Sequence, residues 1–243
     1  MTPKEQLQVM LNHRYTDENG RPFRVTLKRG LNEEALQRFT AQLPSNTLPT
    51  DITELLQYAA GFYFSGIDVI SFDRPGEFGL ENLFPWSVQL ADDGFGNSWI
   101  LDISKQGNWG SVFYVSHDPA VVVKQAGSLT EFLQQVDEYG KLGSQSQLDI
   151  IQEETALEIW KSNGAFIAPD VAKMSGDESL AAFAAQLPGN YVIEDLRFSP
   201  NGAGFAWDKF KQGVEHAKRY KSELLWAIEK EPGKGLLGKL FSR

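Results

Sequence analysis

Three histidines are the first residues with which this sequence could carry out chemistry. They are His13, His117 and His216, and they lie in separate segments without the close spacing that a metal site requires. His117 precedes Asp118, a pair that could form part of a catalytic triad. The triad would also need an activated serine, and the sequence lacks the Gly-x-Ser-x-Gly elbow that presents one. We therefore interpret the pair as the polar end of a strand that Pro119 closes.

A second candidate site is an acidic, glycine-containing stretch near the middle of the chain. Asp92, Asp93, Asn97 and Asp102 offer the oxygen ligands that calcium prefers. Their order differs from the EF-hand pattern, and the glutamate that would bind calcium through both oxygens is missing. Gly94-Phe95-Gly96 likewise lacks the third glycine and the lysine of a phosphate-binding loop. The stretch therefore predicts a structural turn, with no metal and no cofactor, and the protein is expected not to be an enzyme.

The composition narrows the class of protein further. The absence of cysteine excludes disulfides, thiolate catalysis and cysteine-based zinc sites, and it fits a reducing compartment. The first residues show no apolar run of the kind found in signal peptides, and no segment approaches the roughly 18 consecutive apolar residues of a membrane span. We expect a cytoplasmic protein without membrane contact.

The net charge of −9 is concentrated in the first part of the chain. Residues 1–140 hold 10 Lys or Arg against 18 Asp or Glu, whereas residues 141–243 hold 13 against 14. Between residues 40 and 120 the basic residues are Arg74 and Lys105, against ten acidic residues. Such a field repels nucleic acid and attracts basic protein surfaces, although acidic residues also keep a protein soluble. Trp86, Trp99 and Trp109 lack the nearby cations of a base-stacking surface, and we expect them in the core or in protein contacts.

A β-sheet must position the acidic turn. The runs Ser98–Ile103 and 111–116 are rich in aromatic and branched residues, which suit a pleated, half-buried surface. The polar connector between them contains Gly107 and predicts a hairpin. Upstream, Asp93-Gly94 and Gly96 indicate a tight turn or bulge with positive φ. We therefore predict an antiparallel sheet entered through a glycine-rich turn.

Helices are predicted where a capping residue precedes apolar side chains at helical spacing. The predicted caps are Thr2, Asn32, Thr50 or Asp51, and Ser128. The helix after residue 50 is expected to end at Gly61, and residues 62–72 are expected to form a strand with a turn or bulge at Gly66. Residues 73–87 are irregular and acidic, so they offer a surface for contact.

The last hundred residues are expected to form a separate unit. Residues 140–147 are small and polar, as in a linker. The elements predicted beyond it are helices over 148–162 and 178–186, a hairpin of 191–198 with 204–207, and a final helix over 209–229. We therefore predict a first domain with an N-terminal helical extension over 1–140, a C-terminal α+β extension over 141–233, and a flexible basic tail over 234–243.

Several short motifs follow one another in a recognisable order. They are Leu48-Pro49-Thr50-Asp51, Gly61, Asp93-Gly94-Phe95-Gly96-Asn97, Ile100-Leu101-Asp102, Val112-Phe113-Tyr114, His117-Asp118 and Ala126-Gly127-Ser128-Leu129-Thr130-Glu131-Phe132-Leu133. Their order over residues 30–140 resembles the SUKH superfamily of Smi/Knr-type cell-wall regulators and bacterial immunity proteins. One departure is Ala60-Gly61, where that family usually has Asn-Gly.

The resemblance implies an α+β fold in which helices flank an antiparallel sheet, and a protein-binding role without catalysis. Bacterial members typically neutralise toxins, often nucleases or deaminases, so the expected function is that of an immunity protein that binds a basic toxin through an acidic face. The predicted partner-binding residues are Asp73, Glu77, Glu81, Asp92, Asp93 and Asp118. Two alternatives stay open: an intracellular scaffold or regulator of cell-wall or signalling processes without a toxin partner, and an unrecognised hydrolase or metal-dependent enzyme. The sequence identifies neither the partner nor the oligomeric state.

Overall fold

The computed structural model describes residues 1–76, 78–162 and 166–231. Glu77, one of the predicted partner-binding residues, lies outside the described residues, as does the predicted tail over 234–243.

Helices and strands alternate irregularly along the chain, as in the α+β class that the sequence predicts. The helices are α1 (Pro3–Asn12), α2 (Glu33–Thr40), α3 (Thr50–Tyr58), α4 (Leu129–Leu142), α5 (Gln147–Ile150), α6 (Ala156–Lys161), α7 (Pro169–Lys173) and α8 (Glu178–Ala185). The strands are β1 (Tyr15–Thr16), β2 (Pro22–Phe23), β3 (Thr26–Arg29), β4 (Ala59–Phe64), β5 (Asp68–Ser71), β6 (Ser87–Asp92), β7 (Ser98–Ile103), β8 (Trp109–His117), β9 (Ala120–Ala126), β10 (Tyr191–Asp195), β11 (Gly204–Ala206), β12 (Ala217–Arg219) and β13 (Leu225–Glu229). Short 3-10 turns lie at Pro44–Asn46, Gly143–Gln145 and Val214–His216, and a π-helical turn lies at Ile151–Thr155.

A five-stranded antiparallel sheet in the order β11-β9-β8-β7-β6 forms the centre of the molecule. A three-stranded sheet, β3-β4-β5, continues it beside β6, where Pro75 bridges to Val88. Helix α4 packs on β8 and β9 of the central sheet, and α1 packs on α3 and α4, so that one apolar core buries residues such as Leu55, Trp99 and Phe132. The predicted hairpin of β7 and β8 is confirmed, with Ile100 opposite Phe113.

The opposite face of the central sheet is also buried. Ile100, Phe113 and Val122 contact residues of the C-terminal region, including Trp226 and Ile228, in a second apolar core. A second sheet, β10-β13-β12, provides this cover, and its outer side packs on α7 and α8 in a third core. All six residues of β7 are therefore buried, whereas the sequence predicted a half-buried strand.

The local capping signals are largely confirmed. Thr2 and Glu5 form a capping box at α1, and the side chains of Asn32 and Ser128 cap α2 and α4. The caps predicted for α3 are wrong, because Pro49 precedes a helix that begins at Thr50 itself. That helix ends at Tyr58 instead of Gly61, since the next residues pair as strand β4.

Two predictions for the C-terminal region are wrong. Strand β11 pairs with β9 of the central sheet instead of forming a hairpin with residues 191–198, whose strand β10 pairs with β13. The helix predicted over residues 209–229 is replaced by strands β12 and β13, whose alternate side chains enter the second and third cores. Burial on both faces favours a strand here because it hides apolar residues on each side of the sheet.

The predicted linker is part of a helical corner. Helix α4 extends through Leu142, and the fully buried Ser146 caps α5 with its hydroxyl 3.3 Å from the backbone nitrogen of Asp149. Because β11 joins the central sheet, the two halves of the chain share both hydrogen bonds and apolar cores. The division into units at residue 140 stays a prediction.

A buried polar network sets helix α4 against the central sheet. The side chain of Gln125 in β9 donates to Oε1 of Gln135 in α4 at 2.7 Å and accepts from the indole nitrogen of Trp99 at 3.2 Å. The amide of Gln135 donates in turn to the backbone oxygen of Gln125 at 3.0 Å. Because buried polar groups need such partners, the network favours one position of the helix over its neighbours.

Candidate protein-binding site

Three of the predicted partner-binding carboxylates lie in the turns at one end of the central sheet. Strand β6 ends at Asp92 opposite Ser98, and β8 ends at His117 opposite Ala120. In an antiparallel sheet these two turns lie at the same end, so Asp92, Asp93 and Asp118 are brought together there. We call this end of the sheet the loop end.

The carboxylate of Asp93 is a structural part of the first turn. One of its oxygens accepts hydrogen bonds from the backbone N–H groups of Phe95, at 2.9 Å, and Asn97, at 3.1 Å. The other oxygen accepts from the Asn97 amide at 2.7 Å and from the Tyr114 hydroxyl at 3.2 Å. Burial and the charge of Asp93 raise the pKa of Tyr114, so its hydroxyl remains a donor. Asp93 therefore fixes the turn more than it offers charge to a partner.

Two glycines and a histidine complete this turn. Gly94 and Gly96 have φ values of +77° and +92°, which confirms the predicted tight turn. A Cβ atom on Gly96 would lie 3.0 Å from Cε1 of His117, so the two turns are in close contact. The side-chain oxygen of Asn97 accepts from the His117 backbone at 3.2 Å and lies 3.0 Å from Nδ1 of its ring. His117 thus braces the loop end through Asn97.

A hollow of about 410 Å³ lies beside this turn. Two exposed apolar side chains line it. Phe95 is 82% exposed, and Leu157 of α6 is 43% exposed. The lining residues are Asp93, Phe95, Asn97, Tyr114, Ser116, His117, Asp118, Pro119, Gln152, Glu153, Ala156 and Leu157. Among these described residues none is a lysine or an arginine. The hollow therefore combines exposed apolar side chains with a negative potential.

A second hollow of about 540 Å³ adjoins the first through Asp93. Its lining includes the exposed ring of Tyr63 and the carboxylates of Asp68 and Asp92, together with the cationic side chain of Arg24. The mixed charge of this lining makes it less selective for a cation than the first hollow.

The predicted partner-binding residues do not all lie together. Asp118 is exposed at the loop end, and the Asp92 side chain is 51% exposed and lies 3.5 Å from Nη1 of Arg74. Asp73 is half-buried on the segment that runs beside β6. Glu81 precedes the other end of β6, roughly 17 Å of strand away from the loop end. Which of these residues binds a partner stays a prediction.

Glu81 has a structural contact within its own loop. Its Oε1 accepts the backbone N–H groups of Phe78, at 2.7 Å, and Gly79, at 2.9 Å. Burial acts to raise the pKa of Glu81, but the backbone hydrogen bonds from Gly79 and Phe78 outweigh it and lower the pKa. The carboxylate therefore closes its loop as an anion.

Sequence reasoning missed the apolar part of this surface. In the sequence, Phe95 is interpreted only as part of the glycine-containing turn. Leu157 and Glu153 fall in the region predicted to be a separate unit. One signal was available for Phe95, because a large aromatic residue between two turn glycines has no neighbours on its own segment with which to pack. No local signal places α6 against the turn, since that contact depends on the tertiary fold.

Within the part of the chain that the structure describes, no group of three or more His, Asp or Glu side chains is placed to hold a metal ion. None of the described helices is both long and apolar enough to span a membrane.

Comparison with known proteins gives one family match, to a part of the chain that includes four strands of the central sheet. Residues 30–135 match the model of the SMI1 / KNR4 family (SUKH-1), and this segment runs from the end of β3 to the middle of α4. Neither the curated proteins nor the solved structures include a match to the chain. The match confirms the resemblance drawn from the motif order: residues 30–135, which we call the SUKH-1 segment, are similar to the SMI1 / KNR4 family (SUKH-1).

Proposed function

We propose that this protein is a non-catalytic binding protein that recognises a basic protein partner through the loop end, and that it serves as an immunity protein against a toxin. Its SUKH-1 segment supports a protein-binding role of the immunity or regulatory kind. The observation that carries the proposal is the hollow beside Phe95, where exposed apolar side chains and carboxylates meet without a lysine or an arginine among the described lining residues.

The class of toxin follows from charge complementarity. The active site of an enzyme that acts on nucleic acid is basic, because it binds phosphates. A surface with Asp92, Asp118 and Glu153 complements such a site and raises the rate of encounter. A nuclease or a nucleic acid deaminase is therefore the proposed partner, and covering its active site would block its substrate.

The test is co-purification with the proteins encoded by the genes that flank its own, each carrying an affinity tag. Asp92→Lys combined with Asp118→Lys should weaken capture roughly tenfold or more, mainly through slower association. The matched control is Asp170→Lys, because Asp170 lies on α7 with an 88% exposed side chain, in the region that packs on the third core. Capture that survives the double variant would reject the loop end as the binding face.

The regulatory alternative has the same family support. In that case the flanking genes encode no toxin, and deletion of the gene changes cell-wall or signalling phenotypes without poisoning the cell. Survival of a deletion strain therefore separates the alternatives, since loss of an immunity protein exposes the cell to its own toxin.

A further inference from the structure

The turn between β6 and β7 holds an aromatic ring out in solvent. Phe95 is 82% exposed, and its backbone N–H is fixed by Asp93 at 2.9 Å. The carboxylate of Asp93 also holds Asn97, which in turn contacts His117. Because these hydrogen bonds already hold the backbone, the turn loses little conformational entropy when a partner contacts the ring.

A second exposed apolar residue stands on the opposite element. Leu157 is 43% exposed on α6, which follows directly on the π-helical turn Ile151–Thr155. Ala156 and Pro119 also line the hollow that separates Leu157 from Phe95. The two sides come from distant parts of the chain and flank an open hollow of about 410 Å³, a volume in the range of ligand pockets.

Carboxylates surround this apolar surface. Asp118 comes from the turn between β8 and β9, and Glu153 from the π-helical turn. The charge of Asp118 also acts on a neighbour, since burial and then that charge raise the pKa of Asp208. A long cationic side chain suits such a hollow, because its stem packs on apolar groups while its head meets carboxylates.

We infer that the hollow between Phe95 and Leu157 receives an arginine side chain of the protein partner, with an apolar neighbour of that arginine packed on Leu157. The inference rests on the proposed function and names what the loop end recognises. A planar guanidinium stacks on an aromatic ring and pairs with carboxylates through two hydrogen bonds, and lysine can do neither as well. The partner surface is therefore an arginine beside an apolar side chain.

The test is an NMR titration of the full chain with the blocked dipeptide acetyl-Leu-Arg-amide, and with acetyl-Leu-citrulline-amide as its neutral match. We expect millimolar binding of the arginine probe, with shifts confined to residues 93–97, 114–119 and 152–157. The citrulline probe should bind at least severalfold more weakly, because the charge is absent. Phe95→Ala should weaken binding of the arginine probe about two- to fivefold, the size of an exposed cation–π contact.

Two control variants make the result specific. Phe198→Ala removes another ring, which is 89% exposed elsewhere on the molecule, and Asp170→Asn removes a distant carboxylate. Neither should change the affinity for the probe, whereas Asp118→Asn combined with Glu153→Gln should reduce the difference between arginine and citrulline to the part that the Phe95 ring supplies. Shifts scattered over the surface, equal binding of the two probes, or equal losses from Phe95→Ala and Phe198→Ala would each overturn the inference.

The same variants separate the inference from the proposed function. If Asp92→Lys with Asp118→Lys abolishes capture of the protein partner while Phe95→Ala and Leu157→Ala leave it unchanged, the loop end binds but the arginine subsite is rejected. If Phe95→Ala and Leu157→Ala each weaken capture, and Phe198→Ala does not, the subsite is supported in the complex itself.

Discussion

Two carboxyl groups away from the loop end have opposite surroundings. Asp137 in α4 accepts hydrogen bonds from the Tyr15 hydroxyl at 2.7 Å and Lys141 at 2.6 Å, and lies 2.8 Å from Nδ1 of His13. Glu194 in β10 is buried, and its Oε2 has no hydrogen-bond partner among the described residues. The neighbours of Asp137 stabilise its carboxylate as an anion. Ionising Glu194 costs folding free energy, because its carboxylate is buried without such partners.

Glu194→Gln should stabilise the protein at alkaline pH. Burial, and then the charge of Asp195, raise the pKa of Glu194 from 4.5 to about 7. The unfolded chain loses this proton near pH 4.5 and the folded chain near pH 7, so the wild type loses stability between these values and remains lower above them. In urea unfolding, the unfolding free energy of the variant relative to that of the wild type should rise by about 3 kcal/mol between pH 4 and pH 8. Asp170→Asn, at an exposed site, should show no such trend.

Asp137→Asn should have the opposite pH dependence. Burial acts to raise the pKa of Asp137, but hydrogen bonds from Lys141, Tyr15 and His13 outweigh it and lower the pKa. The stability that the carboxylate gives is present above its unfolded pKa and is lost as the pH falls through the lower, folded pKa. The variant should therefore be less stable than the wild type by about 1–3 kcal/mol at pH 7, with a smaller deficit in acid. An equal deficit at both pH values would contradict this account.

At the scale of elements, the turn between β6 and β7 depends on two glycines in different ways. Both have positive φ, but a Cβ on Gly94 would meet nothing within 4 Å, whereas one on Gly96 would lie 3.0 Å from the ring of His117. The first glycine is required by backbone conformation alone. The second is also required by the close approach of the neighbouring turn.

Gly94→Ala and Gly96→Ala should therefore differ in cost. An alanine in the left-handed region costs roughly 1–2 kcal/mol, and we expect that loss of unfolding free energy for Gly94→Ala. Gly96→Ala should cost more, because His117 must also shift and its contacts to Asn97 weaken. Thermal unfolding of the two variants gives the comparison, and equal losses would show that the His117 contact has no energetic weight.

Elements defined by local signals could be predicted from the sequence, and elements defined by distant contacts could not. Thr2, Asn32 and Ser128 cap helices because each bonds within its own first turn. By contrast, β13 is a strand because Leu225 and Ala227 enter one core while Trp226 and Ile228 enter another. The cores on both sides are built by residues far away in the chain, so the segment alone resembles a helix.

At the scale of the whole molecule, a buried ion pair joins the SUKH-1 segment to the C-terminal region. Arg219 in β12 donates two hydrogen bonds to Asp102 in β7, at 2.5 and 2.7 Å, and the two side chains are 2% and 7% exposed. The guanidinium also lies 5.0 Å from the ring centre of Trp226 and donates to the backbone oxygen of Leu83. Asp102, one of the ten acidic residues counted between residues 40 and 120, is thus paired with a cation in the interior.

Breaking this pair from one side should be more harmful than removing both partners. Arg219→Met leaves the Asp102 carboxylate buried and unpaired, which should cost about 3–5 kcal/mol of unfolding free energy. Adding Asp102→Leu should recover a substantial part of that loss, because no charge is then left in the interior. Glu34→Gln serves as the control, since it breaks the exposed pair with Arg38 and should change stability by less than about 0.5 kcal/mol. Asp102→Leu alone is measured as well. If the double variant loses as much unfolding free energy as the two single variants lose together, the pairing is contradicted.

The candidate site could be predicted only in part, because local signals can be read from the sequence and distant contacts cannot. Sequence reasoning located the acidic turn because Asp93, Gly94 and Gly96 carry a local conformational signal. It counted charges without their partners, so it named Asp93, whose carboxylate is bonded within its own turn, alongside Asp118, which is exposed. The other side of the hollow, with Leu157, depends on how α6 packs and has no signal in the sequence around the turn.

Strand β11 has a consequence for how the protein is made. It pairs with the outer edge of β9 through Gly204, Phe205 and Ala206, about 80 residues later in the chain. While the ribosome is still adding those residues, the β9 edge has open backbone groups, and open edges invite pairing with other chains. The nascent SUKH-1 segment is therefore most exposed to misassembly in the interval before residue 206 emerges, which is when a chaperone would help it most.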